Sequence, residues 1–300
     1  MNNQRLLSAV LLITGLLFFA ELFGGYFANS LALMSDAGHM LTDVLSLVLA
    51  ILAALFAARP AGKKSTYGLY RLEILSALFN GSFLTIIALF IFYEAYLRLL
   101  HPAPVQSTLM LVIATIGLLG NIGGAVILAG ASRENLNMRG AFLHVISDAI
   151  SSVGVIAGGL LIHFYGWYIA DPIISFLIAL LILRGAFSLV MESANVLLEA
   201  PPKGIKVDDV IDAICSVKGV RDIHDLHVWS ISSGINTISA HVLIEDAERA
   251  RTTEILQEIR DLLKTKFDIT HSTFQTECQA CSDDLFCHFE RHHEAHAHAH

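Results

Sequence analysis

The sequence predicts an α-helical membrane protein of six transmembrane helices that ends in a small α+β domain. Three observations carry this reading. The 300 residues are 55% hydrophobic and only 15% charged, with a mean hydropathy of +0.63. That is too apolar for a soluble chain of this size. Six apolar segments, near residues 6–28, 31–58, 70–99, 109–130, 140–164 and 171–194, each approach or exceed the ~20 residues that a span needs. After Pro201-Pro202 the composition changes and a mixed helix and strand pattern begins.

The first segment is a span and not a signal peptide. Its apolar run is too long, it contains Glu21, and a second span follows almost at once. Orientation follows from the basic residues of the short loops. With the N-terminus inside, the cytoplasmic side collects Arg5, Arg59, Lys63, Lys64, Arg71, Arg133, Arg139, Lys203 and Lys206, and the opposite side only Arg98. This bias predicts an integral membrane protein with both termini in the cytoplasm. No basic cluster suggests nucleic acid, and no nucleotide-binding motif is present.

Beyond the spans, residues 207–217 have helical periodicity. Residues 222–231 and 235–244 alternate as strands joined by Ser232-Ser233-Gly234. Residues 248–267 form an amphipathic helix with Ile255, Leu256, Ile259, Leu262 and Leu263 on one side, and 269–277 is a third strand. The order αββαβ gives a two-layer domain, helices on one sheet face. At about 75 residues it is marginal alone, so metal or dimerisation would support it. The chain thus divides into a six-span transmembrane domain (1–200), a cytoplasmic domain (201–277) and a Cys/His-rich tail (278–300).

Two helical turns dominate the apolar region. Residues 39–43 read His-Met-Leu-Thr-Asp and residues 144–148 read His-Val-Ile-Ser-Asp. On a helix, i and i+4 share a face, so each pair sets an imidazole beside a carboxylate. Ionisable groups inside a membrane are expensive and usually functional. Together His39, Asp43, His144 and Asp148 supply two nitrogens and two oxygens, a set suited to a tetrahedral zinc-like ion. The plainer reading is polar pairs that glue helices together. Two matching copies, on spans that run in opposite directions as the middle member of each three-span half, favour one shared site. An intramembrane metalloprotease would need a catalytic base, as in His-Glu-x-x-His, and neither pair supplies one, so the chain is not read as an enzyme. Protons compete with metal for neutral imidazole and ionised carboxylate. Depth is a constraint: His39 falls ~12 Å from the start of its span, but His144 only ~6 Å from the start of its own. The pairs meet only if span five begins earlier or the helices tilt.

The stretch from Ser30 to Asp43 (SLALMSDAGHMLTD) resembles the second-span signature of the zinc branch of the cation diffusion facilitator family. Tyr67 to Glu73 (YGLYRLE), Asn137 to Asp148 (NMRGAFLHVISD) and Asp171-Pro172 resemble its motifs at spans three, five and six. The resemblance covers residues 6–277. It implies a homodimer in the lipid bilayer, in a bacterial inner membrane. Such a protein exports cytosolic zinc against protons through His39, Asp43, His144 and Asp148, with cadmium or cobalt as alternative cargo. It implies a ferredoxin-like cytoplasmic domain, in which positions matching His224, His241 and either His271 or Glu277 bind regulatory metal near the dimer interface. The chain departs from some family members in its loop 61–70, which has no Asp or His. Its loop 131–139 is short and has no histidine.

His224 and His227 on the first strand point to opposite faces. All four cysteines lie after the spans, which argues against a secreted disulfide framework. Cys278-Gln-Ala-Cys281 followed by Cys287-His288 could complete a zinc shell, while Cys215 fits a core position. The alternating His and Ala at the end is not needed for any of this. Glu21, Asn80, Glu94 and Asn121 line a cavity or bond between helices, Asp36 borders the site or caps a helix, and Gly117, Gly120, Gly123 and Gly124 allow close helix packing. A membrane-anchored metal sensor or scaffold, without transport, is the alternative function.

Overall fold

The computed structural model describes residues 3–57, 62, 63, 65–130, 136–278 and 285. For residues 3–9, 43, 46, 47, 50, 51, 53–55, 57, 136–138 and 140 it describes the backbone alone. The chain forms two compact units, one of residues 1–59 with 75–191 and one of 60–74 with 192–300.

Six long helices build the membrane part: α1 (Asn3–Ala28), α2 (Leu31–Ala57), α3 (Arg71–Leu100), α4 (Ser107–Ala129), α5 (Leu136–Tyr165) and α6 (Ala170–Leu197). Among the described residues, five are long and apolar enough to cross a membrane, namely all but α2. The 27 residues of α2 reach ~40 Å, enough for a hydrocarbon core, although the helix carries Asp36, His39 and Asp43. Large side chains such as Phe19, Phe90, Leu119 and Leu181 face outward, as lipid would require. The interior is built from small and aliphatic residues, including Ala28, Leu33, Ala88, Met110, Val155 and Ala179.

Close helix approach depends on particular glycines. The space a Cβ would need is taken by the Glu21 carboxyl at Gly117 and by Leu17 at Gly120, and Val145 lies 3.3 Å from that position at Gly124. Gly123 differs from its neighbours: among the described residues, nothing lies within 4 Å of its Cβ position. The fifth helix begins at Leu136, four residues before the apolar run does. Leu, Met and Arg are good helix formers, so Arg139 extends the helix where hydropathy alone would end it. His144 therefore lies eight residues into α5, as His39 lies eight residues into α2.

In the second unit, α7 (Val207–Cys215), β1 (Val220–Ser232), β2 (Ile235–Ile244), a 3₁₀ turn (Asp246–Arg251), α8 (Thr252–Phe267) and β3 (Ile269–Glu277) follow the order αββαβ. The sheet order is β1-β2-β3, antiparallel then parallel. Gly234 takes φ of 74° at the hairpin turn, a backbone state that glycine adopts without steric cost. Helix α8 buries Ile255, Ile259 and Leu263, one per turn, in a core with Ile214, Leu226 and Ile238. One extra residue bulges β1, where His224 faces His241 but His227 faces Ser239. Asp225 sits in this bulge with φ of 48°. Segment 60–74 belongs to this unit, where the Ser232 hydroxyl donates to the Glu73 carboxylate and Arg71 pairs with Glu199 at 2.7 Å.

Candidate metal centre

Helices α2 and α5 cross antiparallel, with Asp36 opposite Ser151 and His39 opposite Asp148. The i,i+4 spacing sets His144 Nε2 3.7 Å from Asp148 Oδ2, and His39 Nε2 reaches Asp148 Oδ1 at 3.9 Å. The two imidazole rings stand 5.9 Å apart, edge to face. One ligand atom each from His39, His144 and Asp148 lies within 4.8 Å of the others. In a tetrahedral zinc shell with bonds of ~2.0–2.1 Å, ligand atoms stand ~3.3 Å apart. Small side-chain rotations thus suffice to close these three around an ion. Asp43 lies one turn after His39 on α2, and its side chain lies outside the described residues.

The Asp148 side chain is almost fully enclosed, at 4% exposed, while those of His39 and His144 are 31% and 40% exposed. His39 and Asp148 line a cavity of about 480 Å³ between α2, α3, α5 and α6. Its other polar lining is Asp36, Ser147 and Ser151, and Leu84, Ile174, Leu177 and Ile178 are among its apolar walls. Asp36 is buried and accepts a hydrogen bond of 2.8 Å from the Ser151 hydroxyl. Ser151 lies seven residues after His144 on the same helix face, a position that the His-x-x-x-Asp spacing does not mark. Glu21, Asn80 and Asn121 are buried but do not line this cavity, and Glu94 bonds Arg98 at 3.0 Å. The arrangement offers hard oxygen and borderline nitrogen donors around a space large enough for an ion and water, set in apolar walls.

A second cluster lies in the sheet. His224 and His241 are directly paired across β1 and β2, and Glu277 closes β3 beside Leu243. His224 Nε2 lies 3.1 Å from Glu277 Oε2, and His241 Nδ1 lies 3.0 Å from Glu277 Oε1. Their ligand atoms all fall within 4.8 Å of one another. His271 stands apart, opposite Thr237, with its ring 5.9 Å from that of Tyr67. Six residues of strand separate it from Glu277, ~20 Å. The bulge brings in Asp225, which lies 3.6 Å from His241 Nε2 and 3.2 Å from His227 Nε2. Nothing in the sequence pattern pointed to it, since a bulge depends on the partner strand's register.

Cys278 follows β3 directly, and Arg249 Nε donates to its Sγ at 2.7 Å. Cys281, Cys287 and His288 lie outside the described residues. Cys215 packs at the edge of the domain core. Burial, and then the Asp222 and Asp212 carboxylates, push its thiol above the ordinary range.

Residues 7–198 match the family model of the cation efflux transmembrane domain, and residues 202–279 match that of the cation efflux protein cytoplasmic domain. The chain is 44% identical over 286 residues to the cadmium, cobalt and zinc/H(+)-K(+) antiporter of Bacillus subtilis, covering 94% of this chain and 91% of that protein. It is 43% identical over 289 residues to the metal cation efflux system protein CzcD of Cupriavidus metallidurans, covering 96% and 91%. It is 37% identical over 302 residues to the zinc transporter ZitB of Escherichia coli, covering 100% and 95%. The chain belongs to the cation diffusion facilitator family, in its zinc branch.

Proposed function

We propose that this chain exports zinc from the cytosol in exchange for protons, with His39, Asp43, His144 and Asp148 as the transport ligands. The observation that carries the reading is the meeting of His39, His144 and Asp148, from two antiparallel helices, beside an interior cavity. The names of the relatives, which include zinc, cadmium and cobalt antiport, point the same way. Two imidazoles with two carboxylates suit zinc, and cadmium or cobalt can occupy the same ligand set. Protons and zinc compete for the same nitrogens and oxygens, so a proton gradient can unload the ion on the acidic side. Both termini face the cytoplasm, and the membrane is a bacterial inner membrane.

The protein works as a homodimer, an assignment supported by the match to a family dimerisation domain. His224, His241 and Glu277 would hold a regulatory zinc in each cytoplasmic domain, since two imidazoles and a shared carboxylate on adjacent strands fit that ion. Cys278, with Cys281, Cys287 and His288, offers a further zinc shell at the end of β3.

Proteoliposomes that hold a zinc dye and a pH dye test this function. The expected result is zinc entry into vesicles with cytoplasmic faces outward, accompanied by proton exit. Zinc binding without flux would leave the membrane-anchored sensor as the function, and zinc flux without proton movement would remove the antiport.

A further inference from the structure

One end of the helix bundle is tied by a polar knot that includes none of the metal ligands. Asp171, in the first turn of α6 and fully buried, accepts three hydrogen bonds from the start of α2. They come from the Ser30 hydroxyl at 2.6 Å, the Leu31 N–H at 2.7 Å and the Ala32 N–H at 3.2 Å. Ser30 also accepts from the Leu33 N–H at 3.3 Å, so it caps its own helix while it bonds the other. Arg98, near the end of α3, stands 3.8 Å from the Asp171 carboxylate. It donates to the Asn29 carbonyl at 2.8 Å and to the Asn29 side-chain oxygen at 3.2 Å. Asn29 donates in turn to the Pro104 carbonyl at 3.0 Å. The first N–H groups of a helix have no partner within it, and its dipole favours negative charge there. Here that charge comes from a different helix.

The knot sits where the metal path would end. The cavity beside His39 and Asp148 is lined by Ile174, one turn beyond Asp171 on α6, and by Asp36 on α2. In the orientation proposed above, this end faces outside. We propose that Asp171 is the positioning residue of an outer gate. Its bonds to α2 hold that end of the path shut, and they break when the site opens outward. Charge-assisted bonds to backbone N–H groups suit the task, because water can replace each of them once the end opens. The inference rests on the transport reading and on its orientation.

The test uses the full chain with Gly154→Cys as reporter. Gly154 lines the cavity, and the position of an added Cβ is open. A membrane-impermeant thiol reagent is applied to right-side-out and to inside-out vesicles, and labelling at the reporter position is read by mass. Asp171→Asn is expected to raise labelling from outside by about tenfold, the population shift for loss of roughly one charge-assisted bond. Ser30→Ala should act in the same direction by less, and labelling from inside should not rise in either variant. Unchanged labelling from outside overturns the gate, as does an equal rise from both sides, which a merely structural tie would give. If Asp171→Asn elutes as misassembled protein, Ser30→Ala decides the question alone. Zinc uptake by the unaltered chain is scored in the same vesicles. Its absence would refute the transport reading, whereas the labelling rates judge the gate.

Discussion

Asp148 holds the membrane cluster together, because each of its oxygens faces a different imidazole. Replacing it with alanine should weaken zinc binding at this site by at least about tenfold, judged by what even outer-shell partners of metal ligands contribute. Titration calorimetry on a His224→Ala, Cys278→Ala background, which breaks both proposed sites outside the membrane, isolates that site. On the native background, His224→Ala should lower bound zinc by one ion per chain in metal analysis while zinc flux persists, if the sheet cluster regulates and does not conduct. Cys215 gives a further check. Its thiol is held protonated above the ordinary range, so alkylation should lag behind that of a free thiol at pH 8 and rise only at higher pH. Equal rates at pH 8, read from peptide masses, would contradict that burial. The histidines and Asp148 were legible because i and i+4 share a helix face whatever surrounds them. Asp225 was not, because its place depends on a bulge in β1 opposite β2. His271 looked as eligible as Glu277 until the register of β3 set it six residues from the cluster.

Among the elements, α5 shows where hydropathy misleads. The apolar run starts near Gly140, but the helix starts at Leu136, and the four extra residues, ~6 Å, set both histidines eight residues from their helix starts and remove the depth mismatch between the two His-x-x-x-Asp turns. The antiparallel crossing then sets His39 against Asp148 and not against its counterpart His144 alone. Helix–helix contact was readable as glycine content but not glycine by glycine: Gly117 and Gly120 admit a neighbour's side chain, and Gly123 admits none among the described residues. Gly81 makes the sharpest case between α3 and α6. A Cβ there would lie 2.9 Å from Val190 Cγ2 and 3.2 Å from the Ala186 carbonyl oxygen, and that backbone cannot rotate away. Gly81→Ala should destabilise the membrane unit by about 1–3 kcal/mol. Thermal unfolding in detergent, followed by loss of the monodisperse elution peak, reads it. An unchanged midpoint would mean that α6 shifts without cost.

At the scale of the whole molecule, the six helices and the αββαβ domain were readable from length and period, since both follow from burying one face per element. The residues that tie helix ends together were harder to read. Asp171-Pro172 stood out as a motif, but its bonds to Ser30, Leu31 and Ala32 join positions some 140 residues apart, which no local pattern reports. In the proposed function, a single site between α2 and α5 carries zinc one way as protons go the other. Zinc and proton flux in proteoliposomes, compared between the unaltered chain and Asp148→Ala with His224→Ala as control, tests it most directly. Opposed zinc and proton fluxes are expected in the unaltered chain and the control, with loss of both in Asp148→Ala. Zinc flux with proton counterflow persisting in Asp148→Ala would contradict it.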